Sequence, residues 1–277
     1  SAQLLGLPSE FEVQATNIAV ELNRASGTKA DDTTPATALD WATALDDDNP
    51  TFFAQSSDPR ELAYTGAFTR IAGELNLKAF DAIEVNGAFE FTLQQADVSF
   101  NPSGPTSTID LQDAELLQLT ITISDPDGAT GPAKGLRVGA ADGVNFSIDE
   151  GSLTYTSIQA SGAKYYSVEA EVNGAELNGL GEGIEITATT LNVLSNGVSG
   201  TPAAGAQAAL NWTTMVDLTP TDVTFSAVPI SEATAAGLSI GGELAINLDG
   251  FVLARGGFSF VEQTGLELTD GDLSLSD

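Results

Sequence analysis

The chain has 277 residues, with 39 acidic against 9 basic side chains and a formal net charge of −30. So strong a negative charge argues against nucleic acid and anionic membranes as partners, because both are polyanions. With neither Cys nor His present, thiol chemistry, His-based triads and the usual zinc, copper and haem ligands are excluded.

Oxygen ligands for hard cations, chiefly calcium, remain. High salt or divalent cations would screen the self-repulsion, as in a halophilic or marine setting or a calcium-rich exterior. Hydrophobic residues make up 42% of the chain, enough for a sizeable core. No apolar run approaches the about 20 residues of a membrane-crossing helix, so no membrane insertion is expected. Ser1-Ala2-Gln3-Leu4 lacks the charged start and apolar stretch of a signal peptide, and reads as a start inside a longer chain or after processing.

Taken in chain order, the strong segments alternate with a period of two. Phe11, Val13 and Ala15 share one face, with Glu12 and Gln14 on the other. Asp31-Asp32 is a weak acidic turn. Asp46, Asp47 and Asp48 form a dense acidic loop, where carboxylates repel unless solvent or a cation screens them. Val85, Gly87, Phe89, Phe91 and Leu93 alternate with Glu84, Asn86, Glu90 and Thr92, and Leu119, Ile121 and Ile123 with Thr120 and Thr122. Asp125 and Asp127, in DPDG, resemble the front of a calcium loop without its later ligands. Ile184, Ile186 and Ala188 alternate with Glu185 and Thr187, and Leu266 and Leu268 flank Glu267. Asp270 and Asp272 close the series of candidate calcium ligands. Helical spacing is scarce, with at most a turn at Glu61-Leu62-Ala63-Tyr64 and at 231–236. This is half-buried strand patterning, with Gly, Asn and Asp supplying turns.

The chain also repeats itself. From Leu4 and Leu177 onward, Gly6/Gly179, Leu7/Leu180, Glu12/Glu185, Ala15/Ala188, Thr16/Thr189, Val20/Val193, Asn23/Asn196, Ser26/Ser199 and Gly27/Gly200 are identical. Leu39-Asp40-Trp41 then meets Leu210-Asn211-Trp212, and Ile71-Ala72-Gly73-Glu74-Leu75 meets Ile240-Gly241-Gly242-Glu243-Leu244. Asn86-Gly87-Ala88-Phe89-Glu90-Phe91 meets Arg255-Gly256-Gly257-Phe258-Ser259-Phe260. The offset shrinks from 173 (Leu4 to Leu177) to 171 (Leu39 to Leu210) to 169 (Ile71 to Ile240), as loops change length while elements persist. The expected organisation is a first repeat unit over 1–173 and a partial second unit over 174–277, packed continuously on the first. The expected fold is all-β: an elongated β-solenoid-like stack or large β-sandwich built from tandem repeats. Trp41 and Trp212, at matched positions, read as packing anchors rather than sugar platforms, and Phe89, Phe91, Phe258 and Phe260 read as core.

The order L-x-G-L, [FI]-E-[VI]-x-A-T, S-G-T, L-[DN]-W, G-E-L and G-[AG]-F-x-F resembles a long repeat found in tandem in very large secreted or surface, adhesin-like proteins of bacteria. The stretch from Gly135-Leu136 through Ser161-Gly162 is similar to the one preceding it in such repeats. The segment Asp46–Thr65 departs from the pattern, being longer and more polar than its counterpart after Trp212. The resemblance implies an extracellular or cell-surface location and a structural or adhesive role. It implies no active site.

A Ser nucleophile needs a base, and without His the chain has no imidazole to serve as one, so an enzyme is not expected. The expected function is a non-catalytic structural repeat of a filament, surface layer or giant adhesin, assembling end to end by strand addition. Its expected partners are itself, as homopolymer or tandem array, and a cell-surface or polysaccharide ligand, with calcium as the one candidate cofactor. A calcium-dependent adhesin arm and a carbohydrate-active β-protein are the alternatives.

Overall fold

The structure, a computed structural model, describes residues 2–3, 11–31, 33–41, 51–52, 60–61, 66–79, 82–103, 107–124, 135–140, 142–160, 162–181, 183–202, 207–218, 225–262, 268–270 and 273–275. Its strands are β1 (Ala2–Gln3), β2 (Phe11–Asn23), β3 (Thr51–Phe52), β4 (Arg60–Glu61), β5 (Phe68–Ala79), β6 (Ile83–Val98), β7 (Leu111–Ile123), β8 (Leu136–Gly139), β9 (Asn145–Ala160), β10 (Ala163–Asn178), β11 (Ile184–Gly200), β12 (Val216–Asp217), β13 (Gly237–Leu248), β14 (Val252–Glu262), β15 (Leu268–Asp270) and β16 (Leu273–Leu275). The chain is all-β, as its period-two patterning requires. The helical turn expected at 231–236 is absent. Ser231 and Glu232 instead bond to Glu169 of β10, which holds the segment extended against the sheet.

A 12-stranded antiparallel sheet carries all the long strands, in the order β1-β2-β5-β6-β7-β9-β10-β11-β13-β14. β7 ends opposite Gly87, and β8 takes its place between β6 and β9 for the remaining stretch. The short pairs β3–β4 and β15–β16 form separate two-stranded sheets. Nearly every connection is to the next long strand, so the sheet is an open meander with an edge on either side.

Alternation divides this sheet into two unlike faces. On one, Gly73, Phe89, Ile121, Leu153, Ala170, Val193, Ile240 and Phe260 form a single row across seven strand pairings. On the other, Arg70, Thr92, Gln118, Thr156, Ser167 and Asn196 form a polar row. Further along that second face the side chains turn apolar, and there the core lies. Leu116, Ile158 and Tyr165 are buried under the stretches 207–218 and 225–235, which lay Leu210, Trp212, Val216 and Ala233 across them. β12 within the first stretch reaches back to β6, pairing Val216 with Val98 and Asp217 with Asp97. The cap thus leaves β11 and returns over the strands that precede it.

One irregularity keeps the apolar face continuous along β2. Thr16 pairs with Glu74 and Ala19 with Ala72, so β2 holds one extra residue there. The bulge moves the apolar positions from Val13 and Ala15 to Ile18, Val20 and Leu22 without changing faces. Asn17, at φ 51°, supplies the left-handed residue that Asn tolerates well.

Candidate functional site

The two sequence copies occupy matching places in the sheet. β5 and β13 each have 12 residues and begin and end at matched positions, Phe68 with Gly237 and Ala79 with Leu248. β2 and β11 begin at the matched Phe11 and Ile184. β11 likewise holds one extra residue, slightly earlier along the strand, between Ala188 and Thr190. There a β-branched Thr190 stands in place of Asn17, and it does not take a positive φ. At each irregularity a threonine hydroxyl donates to a glutamate of the neighbouring strand: Thr16 to Glu74, its register partner, at 2.9 Å, and Thr189, beside the Thr190–Glu243 pair, to Glu243 at 3.3 Å.

The tryptophans are anchors in both copies. Trp212 Nε1 donates to Asn196 Oδ1 at 2.9 Å, and Asn196 Nδ2 donates to the carbonyls of Leu210 and Ala235. Trp41 Nε1 donates to Asn23 Oδ1 at 3.0 Å, and Asn23 Nδ2 donates to the carbonyls of Leu39 and Gly66. One asparagine therefore ties two separated points of the following connection to the strand that carries it. The burial differs, however. Leu210 is 0% exposed and Leu39 53%; Trp212 is fully buried and Trp41 half-buried. A fully buried indole cannot be a sugar platform.

The phenylalanines separate in the same way. Phe89 and Phe91 are half-buried because β7 continues the sheet beyond β6. Their counterparts on β14, expected in the core, are exposed: Phe258 at 46% and Phe260 at 53%. Among the described residues no strand flanks β14 on its outer side. Glycine records this edge too. A Cβ on Gly87 would collide with the Thr122 carbonyl of β7, whereas one on the matched Gly256 would meet nothing.

The acidic candidates fall mostly beyond description. Asp46, Asp47, Asp48, Asp125, Asp127 and Asp272 lie outside the described residues, and Asp270 is described by its backbone alone, in β15. Asp31 is already engaged: the N–H groups of Thr33 and Thr34 and the Thr34 hydroxyl donate to it. These bonds, led by the Thr34 hydroxyl, lower its carboxyl to about 2. Among the described residues no group of three or more acidic side chains is placed to hold a metal ion.

Two carboxylates that sequence patterning did not single out are buried. Asp97 and Asp217 face each other across β6 and β12 and accept the N–H groups of Asp113 and Ser226. Asp97 thus holds the start of β7, where Asp113 takes a φ of 51°, and Asp217 holds the chain at Ser226. Arg70 bridges Glu21 and Glu90, at 3.3 and 2.6 Å, across β2, β5 and β6. A groove of about 530 Å³ between 24–38 and the ends of β5, β6 and β7 holds Arg24, Asp113 and Glu115. It is open to solvent. No helix among the described residues is long and apolar enough to cross a membrane.

The arrangement among the described residues is therefore a broad sheet open at β14 and, past the two-residue β1, at β2, with matched anchoring loops. No family model, no curated protein and no solved structure matches the chain.

Proposed function

We propose that the chain is a non-catalytic, extracellular β-repeat scaffold, a structural segment of a filament, surface layer or giant adhesin, in which units join end to end by strand addition. One observation carries this reading. The set β2, β5, β6 recurs as β11, β13, β14 in the same order and in the same sheet, with anchor and glycine positions matched and one extra residue in each of β2 and β11. A sheet that takes in a second set without a break can take in a third, because each added strand satisfies the backbone edge it covers.

Chemistry supports the same view. A chain with neither His nor Cys and with its buried carboxylates committed to backbone N–H groups has little to offer a reaction centre. The net charge of −30 keeps such a sheet soluble and suits a salty or calcium-containing exterior. Asp46, Asp47, Asp48, Asp125, Asp127, Asp270 and Asp272 are the proposed calcium ligands.

Negative-stain microscopy of the purified chain, with and without millimolar calcium, tests the reading. Long regular fibres are the expected result. Single globules at every concentration would remove end-to-end assembly.

A further inference from the structure

The open edge of β2 carries the imprint of a specific neighbour. β1 lies on β2 with Ala2 opposite Ala15 and Gln3 opposite Gln14. On β11, Ala175 of β10 lies opposite Ala188 and Glu176 opposite Thr187. With β2 matched to β11 in sequence, β1 holds the register of β10 residue for residue. β10 then continues along β11, Val172 facing Leu191, Ala170 facing Val193 and Val168 facing Ser195. The corresponding stretch of β2, 17–23, has no strand on that side among the described residues. Its apolar positions are open, with Val20 at 65% and Leu22 at 60% exposure.

The anchoring loop points to the same missing neighbour. Leu210 is buried because the loop after β11 packs on β6, β7, β9 and β10, the strands on the β10 side of β11. Leu39, in the matching loop after β2, is exposed. Both gaps lie where a sheet ending in a β10-like strand would be.

Resting on the scaffold reading, we propose that the free edge of β2, with Leu39 beside it, docks an antiparallel strand of the β10 type, belonging to another unit of the same repeat. Strand direction decides against β14 of a translated copy. All neighbours on the sheet path pair antiparallel, so β2, β6, β9, β11 and β14 run one way and β5, β7, β10 and β13 the other. Translation would set β14 parallel to β2, and β2 has the β1 register for an antiparallel partner.

Charge refines the partner. The site opposite Glu21 corresponds to that of Glu169, which faces the apolar Leu194 on β11. Like charges directly opposite each other weaken an antiparallel pair. The docking strand therefore has apolar residues opposite Ile18, Val20 and Leu22, and a neutral or basic residue opposite Glu21.

The test uses the full chain and a synthetic peptide with the sequence of residues 163–174, alongside its E169K form and a scrambled control. Binding is read by anisotropy of the labelled peptide, and its position by amide hydrogen exchange. The expected result is new protection confined to 17–23, E169K binding about two- to fivefold tighter than the parent peptide, and loss of binding in a V20K chain. Protection on β14 alone, equal effects from the scrambled peptide, or no protection would overturn the proposal. So would protection of 17–23 in dilute, fibre-free chain without peptide, which would mean that the edge is already covered. Fibre formation is scored separately, so a failed peptide leaves the scaffold reading standing or falling on microscopy.

Discussion

Trp212 and Asn196 form a closed unit: the indole N–H donates to the amide oxygen, and the amide nitrogen donates to the carbonyls of Leu210 and Ala235. The pair sits wholly inside the protein, so each lost bond leaves a buried polar group unmet. Asn196→Ala is expected to destabilise by about 2–4 kcal/mol, and Asn23→Ala, whose loop is wetter, by about 1 kcal/mol. Urea unfolding midpoints decide. Equal losses would mean that the burial difference between the two anchors has no energetic consequence.

Gly87 and Gly256 offer a second matched comparison. The first faces a backbone carbonyl of β7 at a distance that admits no Cβ, and the second faces open space. Gly87→Ala is expected to cost about 1–3 kcal/mol through displacement of β7, while Gly256→Ala stays within about 0.5 kcal/mol of the parent. Thermal melts of the two variants check this. If Gly256→Ala proved as harmful, β14 would have a neighbour in solution.

Arg70 governs a pH effect. Its hydrogen bond holds the Glu90 carboxyl below the usual carboxylate range, against a smaller opposing contribution from burial. A lowered folded-state value means that the contribution is present above the unfolded value, about 4.3, and is lost as pH falls through the folded one. Because these side chains are more than a third exposed, Arg70→Gln is expected to cost only about 0.5–1 kcal/mol at pH 6. The gap between variant and parent should close toward pH 3. A gap that widened on acidification would contradict the assignment.

Salt and calcium separate two origins of stability. Screening of a −30 charge should raise the melting midpoint steadily with sodium chloride. Specific calcium binding should raise it further at constant ionic strength, and chelator should reverse the gain. A midpoint that ignores calcium at low salt would remove Asp46, Asp47, Asp48, Asp125, Asp127, Asp270 and Asp272 as ligands.

Much of the fold was legible in the residues themselves. The alternation around Phe89 and Ile121 specifies strands because side chains on a pleated chain change face at every step. The pairing of Leu39-Asp40-Trp41 with Leu210-Asn211-Trp212 identified anchors that the hydrogen bonds bear out. Asn23 and Asn196 stood in the same alignment as an identical pair. Their role was hidden because a lone asparagine has no pattern until its three partners are in place.

The sequence by itself determined the all-β class, the matched segments and the absence of imidazole and thiol chemistry, since these depend on residue type and spacing alone. Tertiary structure decided what each matched residue experiences. Leu210 is buried and Leu39 open, Phe89 is half-covered and Phe258 exposed, and Gly87 is crowded while Gly256 is free. Near-identical segments cannot encode these differences. Burial on a sheet is set by the strands lying alongside, and residues 17–23 of β2 and the outer side of β14 lack that neighbour among the described residues.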